Sequence, residues 1–128
     1  MKKWCYSILV VMTLVACSKP DASEVAGQTA KLYYDYLLQG RYSEFVDGMN
    51  FPDSIPEQYR SQLVDNAKMY IAQQKKEHRG IQSVECLQAQ ADTAKHEANV
   101  FLSFTYLDGN VEQVLVPMVE RNGIWYMR

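Results

Sequence analysis

The sequence predicts an α+β fold in which three N-terminal helices pack on a curved, four-stranded antiparallel sheet. Three observations carry it. Up to Gly80 the apolar residues recur at helical spacing, and after Gly80 the period falls to two. Asp108-Gly109 and Asn122-Gly123 then divide the alternating region at two hairpin turn signals. The helical pattern lies wholly before the strands, so the helices cover one face of a single sheet as a second layer, which also excludes an immunoglobulin-like sandwich.

The first helix is expected from Ala22 or Ser23 to Gln39. Asp21 is placed to accept the first free backbone N–H, with Glu24 three residues on as its reciprocal partner. Val25, Thr29, Leu32, Tyr33, Tyr36 and Leu37 make its apolar stripe, and Ala22, Ala26 and Ala30 form a neighbouring row that permits close approach of another element. Gly40 ends it. Tyr42 to Met49 reads as a two-turn helix with Tyr42, Phe45, Val46 and Met49 on one stripe, followed by a turn at Asn50-Phe51-Pro52-Asp53. The third helix is expected to start with Ser54 as N-cap, Pro56 in the first turn and Glu57 as capping partner. Tyr59, Leu63, Ala67, Tyr70, Ile71 and Gln74 are its inward row. Lys75, Lys76, His78 and Arg79 crowd its last turn, where the helix dipole favours cations.

Ile81 to Gln90 is the first strand, with Val84, Cys86 and Leu87 its apolar points. Lys95 to Leu107 is a long strand with His96, Ala98, Val100, Leu102, Phe104 and Tyr106 on one face, and Glu97, Asn99, Phe101, Ser103 and Thr105 on the other. Val111 to Glu120 is the third, interrupted at Pro117, which cannot donate to a ladder and so marks an edge, a bulge or a lapse in pairing. Ile124 to Arg128 is the last.

The N-terminal region predicts location. Lys2 and Lys3 precede the apolar run Ile8 to Ala16, which is far shorter than the roughly 20 residues a bilayer core requires and therefore reads as a secretory signal. Leu14-Val15-Ala16-Cys17 resembles the lipobox of bacterial lipoproteins. That resemblance implies cleavage before Cys17, a diacylglyceryl thioether on its sulfur, and an acylated new amino terminus. The bland alternative is an ordinary signal cleaved after Ala16 that leaves Cys17 unmodified. The expected organisation is thus a signal at residues 1–16, a lipidated tether at 17–23 and one domain at 24–128. The expected location is the bacterial cell envelope, with the membrane as a partner through the anchor. Ser18 after the cysteine leans toward the outer membrane by resemblance to known sorting behaviour.

Composition narrows the function classes. The chain has 13 Lys plus Arg against 15 Asp plus Glu, and loss of Lys2 and Lys3 makes the remainder more acidic, so no basic stripe for nucleic acid is expected. Of three cysteines, Cys5 leaves with the signal and Cys17 is alkylated, which leaves Cys86 alone as a small buried hydrophobe and allows no intrachain disulfide. His78, Cys86 and His96 lack metal-ligand spacing, and no phosphate loop, nucleophile elbow or H-E-x-x-H occurs. No cofactor or metal is expected.

The helix ending in Gln39-Gly40-Arg41-Tyr42, the short helix through Phe45, the long third helix and the hairpin closing in Asn122-Gly123-Ile124-Trp125-Tyr126 together resemble the nuclear transport factor 2-like (cystatin-like) superfamily. Within it, the chain is similar to the small lipoproteins of Bacteroides-type bacteria, lumazine-binding-like domains of unassigned function. The resemblance covers Glu24 to Arg128. It implies a cone whose wide end holds a ligand, and in catalytic members an Asp, His or Tyr that moves a proton inside it. The candidates for the wall of such a pocket are Tyr33, Tyr59, Tyr70, His96 and Tyr106, since a phenol supplies apolar area with a polar tip. Asp92 reaches His96 only across a turn, so no orienting dyad is evident. The leading expectation is therefore a non-enzymatic, lipid-anchored domain that binds a small or peptide-like ligand, or serves as a scaffold. The alternative is a module that forms a homodimer through the outer face of its sheet, with Phe101, Val116, Met118 and Trp125, beside Val114, as the exposed patch.

Overall fold

The computed structural model describes residues 21–51 and 53–128, so the expected signal and the expected lipidation at Cys17 lie outside the described residues. The elements are α1 (Ala22–Leu38), α2 (Tyr42–Asp47), α3 (Glu57–His78), β1 (Ile81–Asp92), β2 (Glu97–Tyr106), β3 (Val111–Arg121) and β4 (Ile124–Met127). The strands form one antiparallel sheet in the order β1-β2-β3-β4, curved and unclosed, with the helices on one face. The α+β architecture read from the change of period is the one observed.

The start of α1 follows expectation: Asp21 Oδ1 accepts from the backbone N–H of Glu24 at 2.8 Å. Its buried face is the small-residue row, Ala26, Gly27 and Ala30, continued by Tyr33 and Leu37. Val25 and Leu32, expected on the inward stripe, are exposed instead. The reason is steric. A Cβ built on Gly27 would lie 2.8 Å from Cys86 Sγ and 3.1 Å from Ala89 Cβ, so the helix backbone rests directly on β1, where only a row of minimal side chains fits. Ser23 Oγ accepts from Ala91 N–H at 2.9 Å and pins the first turn of α1 to the far end of the same strand.

The capping box expected for α3 does not form. Pro56 takes an extended ψ of 147° and is itself the N-cap, so the helix begins at Glu57 and Ser54 lies too far upstream to cap it. At the other end Arg79 occupies the left-handed region with φ 70°, followed by Gly80 at φ 117°. His96 is not in a strand: it closes the β1–β2 turn at φ 56°.

On the sheet, Ala98, Val100, Leu102, Phe104 and Tyr106 point into the core in strict alternation, while Phe101 faces outward. The interface expectation is corrected here. Val100 pairs with Val116, Ala98 with Met118 and Phe101 with Leu115, so even-numbered residues of β3 share a face with even-numbered residues of β2. Val116 and Met118 are therefore core residues. Trp125, opposite Glu120, is buried with them. The length of the turn between Tyr106 and Val111 sets this parity, and a one-residue difference would have turned β3 over. Pro117 sits where the short β4 runs out: the ladder covers Met118 to Arg121, and beyond it Pro117 O receives the Arg128 N–H at 2.9 Å.

Tyr33, expected in a pocket wall, is a staple. Its hydroxyl donates to the carbonyl of Trp125 at 2.5 Å, and its ring covers Gly48, so one side chain joins α1, the end of α2 and β4. Beside it Met127 N–H donates to Gly48 O at 2.7 Å and Asn50 N–H to Met127 O at 2.8 Å, which adds the segment after α2 to the sheet as a short parallel bridge. A Cβ at position 48 would fall 2.6 Å from the Tyr33 ring. Gly48→Ala is thus expected to lower stability by about 1–3 kcal/mol, read as a drop in the urea midpoint; an unchanged midpoint would mean the ring moves aside freely.

Candidate functional site

Between α3 and the sheet lies a groove, and the sequence of α3 explains why. Over 22 residues this helix buries only Ala67. Leu63, Ile71 and Gln74 are half-buried, and Tyr59 and Tyr70 are 47% and 36% exposed. The helix is held at its ends instead. Near its start Arg60 Nη2 donates to Asp47 Oδ1 at 2.6 Å, to Ser43 Oγ at 2.8 Å and to Ser43 O at 3.0 Å. At its finish the His78 ring stacks on Tyr106 with centroids 4.1 Å apart, and its Nδ1 meets Asp108 Oδ2 at 2.9 Å. Backbone bonds from Leu107 N–H to Gly80 O (2.8 Å) and from Asp108 N–H to His78 O (3.1 Å) complete that attachment.

The span between the two attachments stands over an apolar space of about 420 Å³ walled by Tyr34, Leu37, Phe45, Ala67, Tyr70 and Phe104. It runs into a second space of about 370 Å³ toward Phe51, Tyr59 and Arg128, the two sharing Tyr34, Phe45, Met49 and Leu63. Both volumes fall in the range of small-molecule sites. Tyr34 stands at the junction, edge-on to Phe45 with centroids 5.3 Å apart and tilted against Phe104 at 5.4 Å. At the mouth Phe51 and Tyr59 meet edge to face at 6.1 Å. Arg121 positions this rim by donating to Asn50 Oδ1 at 2.7 Å and Phe51 O at 3.2 Å, its guanidinium lying 4.6 Å from the centroid of the Tyr126 ring.

The polar groups are phenols and amides. Burial pushes the Tyr34 hydroxyl above the usual tyrosine range. Burial, reinforced by Tyr34 and by the Glu112 carboxylate, pushes Tyr70 up to about 12. Both therefore stay neutral through the physiological range and act as hydrogen-bonding groups rather than bases. With Asn66 beside them, they can orient an uncharged polar group on an otherwise apolar ligand, while Glu112 disfavours an anion at that end.

Of the five pocket-wall candidates, Tyr59 and Tyr70 line the groove and three do not. Tyr33 is the staple described above. Tyr106 is buried beside the groove, donating to Glu112 Oε1 at 2.5 Å, and burial followed by that bond raises its pKa. His96 is on the surface with a side chain 66% exposed, its Nδ1 3.0 Å from Glu120 Oε1. The residue missed is Tyr34, one position past Tyr33 and so turned about 100° around the helix from it. No feature of the local pattern separates the two. The histidine–carboxylate pairing also differs from the Asp92–His96 arrangement weighed in the sequence, since His78 and Asp108 are thirty positions apart. Asp108 is held below the usual carboxylate range chiefly by the Asn110 backbone N–H and then by His78. Among the described residues no three His, Cys, Asp or Glu side chains converge as a metal site, and no helix is long and apolar enough to cross a membrane.

No protein-family model and no curated protein sequence matches this chain. Among solved structures it is similar to a Campylobacter jejuni protein, provisionally described as an NTF2-like transpeptidase. The two share 12% identity and a TM-score of 0.62 over 78% of this chain and 94% of the other. At that identity the likeness concerns the backbone, and it spans both the helical layer and the sheet. The chain thus has the nuclear transport factor 2-like (cystatin-like) fold, as the helix ends and closing hairpin implied.

Proposed function

We propose that this protein is a lipid-anchored domain of the bacterial envelope that binds a small, largely apolar ligand beneath α3 and does so without catalysis. The observation that carries the reading is the mismatch between the length of α3 and what it buries: 22 residues, one buried side chain, and an apolar space of about 420 Å³ beneath. A helix whose inward row were meant only for packing would close onto the sheet as α1 does. Support for binding over catalysis comes from the titratable groups, because His78 and His96 both pair with carboxylates outside the groove and Cys86 lies against Gly27 under α1. The transpeptidase description of the Campylobacter protein is accordingly not extended to this chain. A neutral dye such as Nile red is expected to gain fluorescence with the wild-type domain. Leu63→Trp, which fills the space common to both halves of the groove, is expected to weaken that binding about tenfold or more, the equivalent of about 1.4 kcal/mol, with the far-ultraviolet circular dichroism unchanged. Equal binding by the two proteins would overturn the reading.

Anchoring follows from Leu14-Val15-Ala16-Cys17, and two or more acyl chains would hold the domain on a membrane, preferentially the outer one. Intact mass of detergent-extracted protein is expected to lack residues 1–16 and to carry the added lipid; a free Cys17 thiol in aqueous-phase protein would remove the anchor.

The dimer reading retains one favourable observation, on residues different from those first expected. Leu115 and Ile124 are 50% and 51% exposed on the outer face, and Leu115 lies directly across from Phe101. If this face joins two copies, Leu115→Lys is expected to sediment as a monomer where the wild type is a dimer; identical sedimentation of the two would discard the interface.

A further inference from the structure

The basic turn at the end of α3 has a second neighbour besides the helix dipole. Beside it, where the α1–α2 junction meets the starts and ends of β1 and β2, lies a separate cleft of about 330 Å³. Leu38, Tyr42, Ile71, Ile81 and Leu107 form its apolar floor, and Lys75 and Arg79 stand at its edge. Leu107 is 53% exposed there. Lys68, earlier on the same helix, has its Nζ 6.0 Å from the centroid of the Tyr42 ring.

Capping does not account for these charges. The carbonyls of Gln74 and Lys75 already receive the backbone N–H groups of Gly80 (3.2 Å) and Arg79 (3.0 Å), so the turn is closed without help from side chains. Lys75 and Arg79 make no ion pair among the described residues. Three carboxylates on flanking elements are already paired: Asp35 with Lys31, Glu44 with Arg41 and Asp108 with His78. Arg79 moreover holds a left-handed backbone at φ 70°, a position at which glycine is the unstrained choice.

We propose that this cleft is a binding site for a single-chain anionic amphiphile, with the chain on the Leu38–Ile71–Ile81–Leu107 floor and the acidic head between Lys75 and Arg79. It is distinct from the groove under α3, whose polar end is neutral and bordered by Glu112, so the two sites select opposite kinds of head group. Free cations at the edge of an apolar floor match that chemistry, because the charged head remains at the solvent boundary while the tail leaves water.

The test is calorimetric titration with dodecanoate below its micelle concentration, with dodecyl maltoside as the neutral-head control and inorganic phosphate as the anion without a chain. Wild type is expected to bind dodecanoate at least tenfold more tightly than either control. The double substitution Lys75→Glu/Arg79→Glu is expected to lose at least tenfold, and Leu63→Trp, which blocks the other groove, to bind as wild type does. Arg79→Gly separates recognition from structure: it relaxes the left-handed position and should raise the melting temperature, yet weaken dodecanoate binding. The proposal fails if phosphate or the maltoside binds as well as dodecanoate, if charge reversal leaves binding unchanged, or if Leu63→Trp abolishes it. Retention of full affinity by the more stable Arg79→Gly would likewise overturn it.

Discussion

The close seating of α1 on β1 is the constraint on which the rest of the fold depends. Ala26, Gly27 and Ala30 bring the helix backbone into contact with Cys86 and Ala89, so the first helix is fixed to one side of the sheet at minimal distance. From there Tyr33 reaches across to the Trp125 carbonyl and covers Gly48, which ties the end of α2 and the last strand to the same helix. The chain on either side of these contacts has little choice. The segment after α2 pairs with Met127, Arg121 binds Asn50 and Phe51, and the mouth of the groove is set by groups that are themselves hydrogen-bonded.

Against that fixed frame α3 is placed by its ends. Arg60 is clasped by Asp47 and Ser43, and His78 stacks on Tyr106 and meets Asp108, while the middle of the helix contributes one buried alanine. Surface ion pairs of this kind contribute modestly to stability, typically under about 1 kcal/mol each. Their role here is geometric, since they hold a helix at a distance that its own apolar residues do not close. The consequence is a groove with aromatic walls, in which burial keeps the Tyr34 and Tyr70 hydroxyls neutral. The electrostatics differ sharply from those of the cleft at the far end of the same helix, where Lys75 and Arg79 have no ion-pair partner among the described residues. One helix thus borders two apolar hollows of different charge.

How far the site was legible follows from particular residues. Leu63, Ala67 and Tyr70 lie on one row at helical spacing, and all three line the groove as that spacing predicts. Tyr33 and Tyr34 are adjacent and chemically identical, so only the seating of α1 determines that the first becomes a staple and the second a wall. His96 alternates with core residues in sequence, yet the turn claims it at positive φ, because β1 extends to Asp92 and the hairpin must close in four residues. Val116, Met118 and Trp125, which the alternative dimer reading puts on the outer face, are buried for a related reason: side-chain parity across a hairpin depends on the exact count in the turn, which a Gly-containing dipeptide marks without measuring.

The sequence by itself determined the order of elements, the two layers, the change of period at Gly80, the hairpin positions and the alternation within β2, all of which arise from contacts near in the chain. Tertiary structure alone decided which row of α1 is buried, which face of β3 looks inward, and that His78 meets a carboxylate thirty positions away at Asp108. Those outcomes depend on distances between segments thirty to ninety residues apart, such as Tyr33 to Trp125 and His78 to Asp108. Local spacing shows which side chains lie on one face; only the packed neighbour determines which face is filled and which is left open.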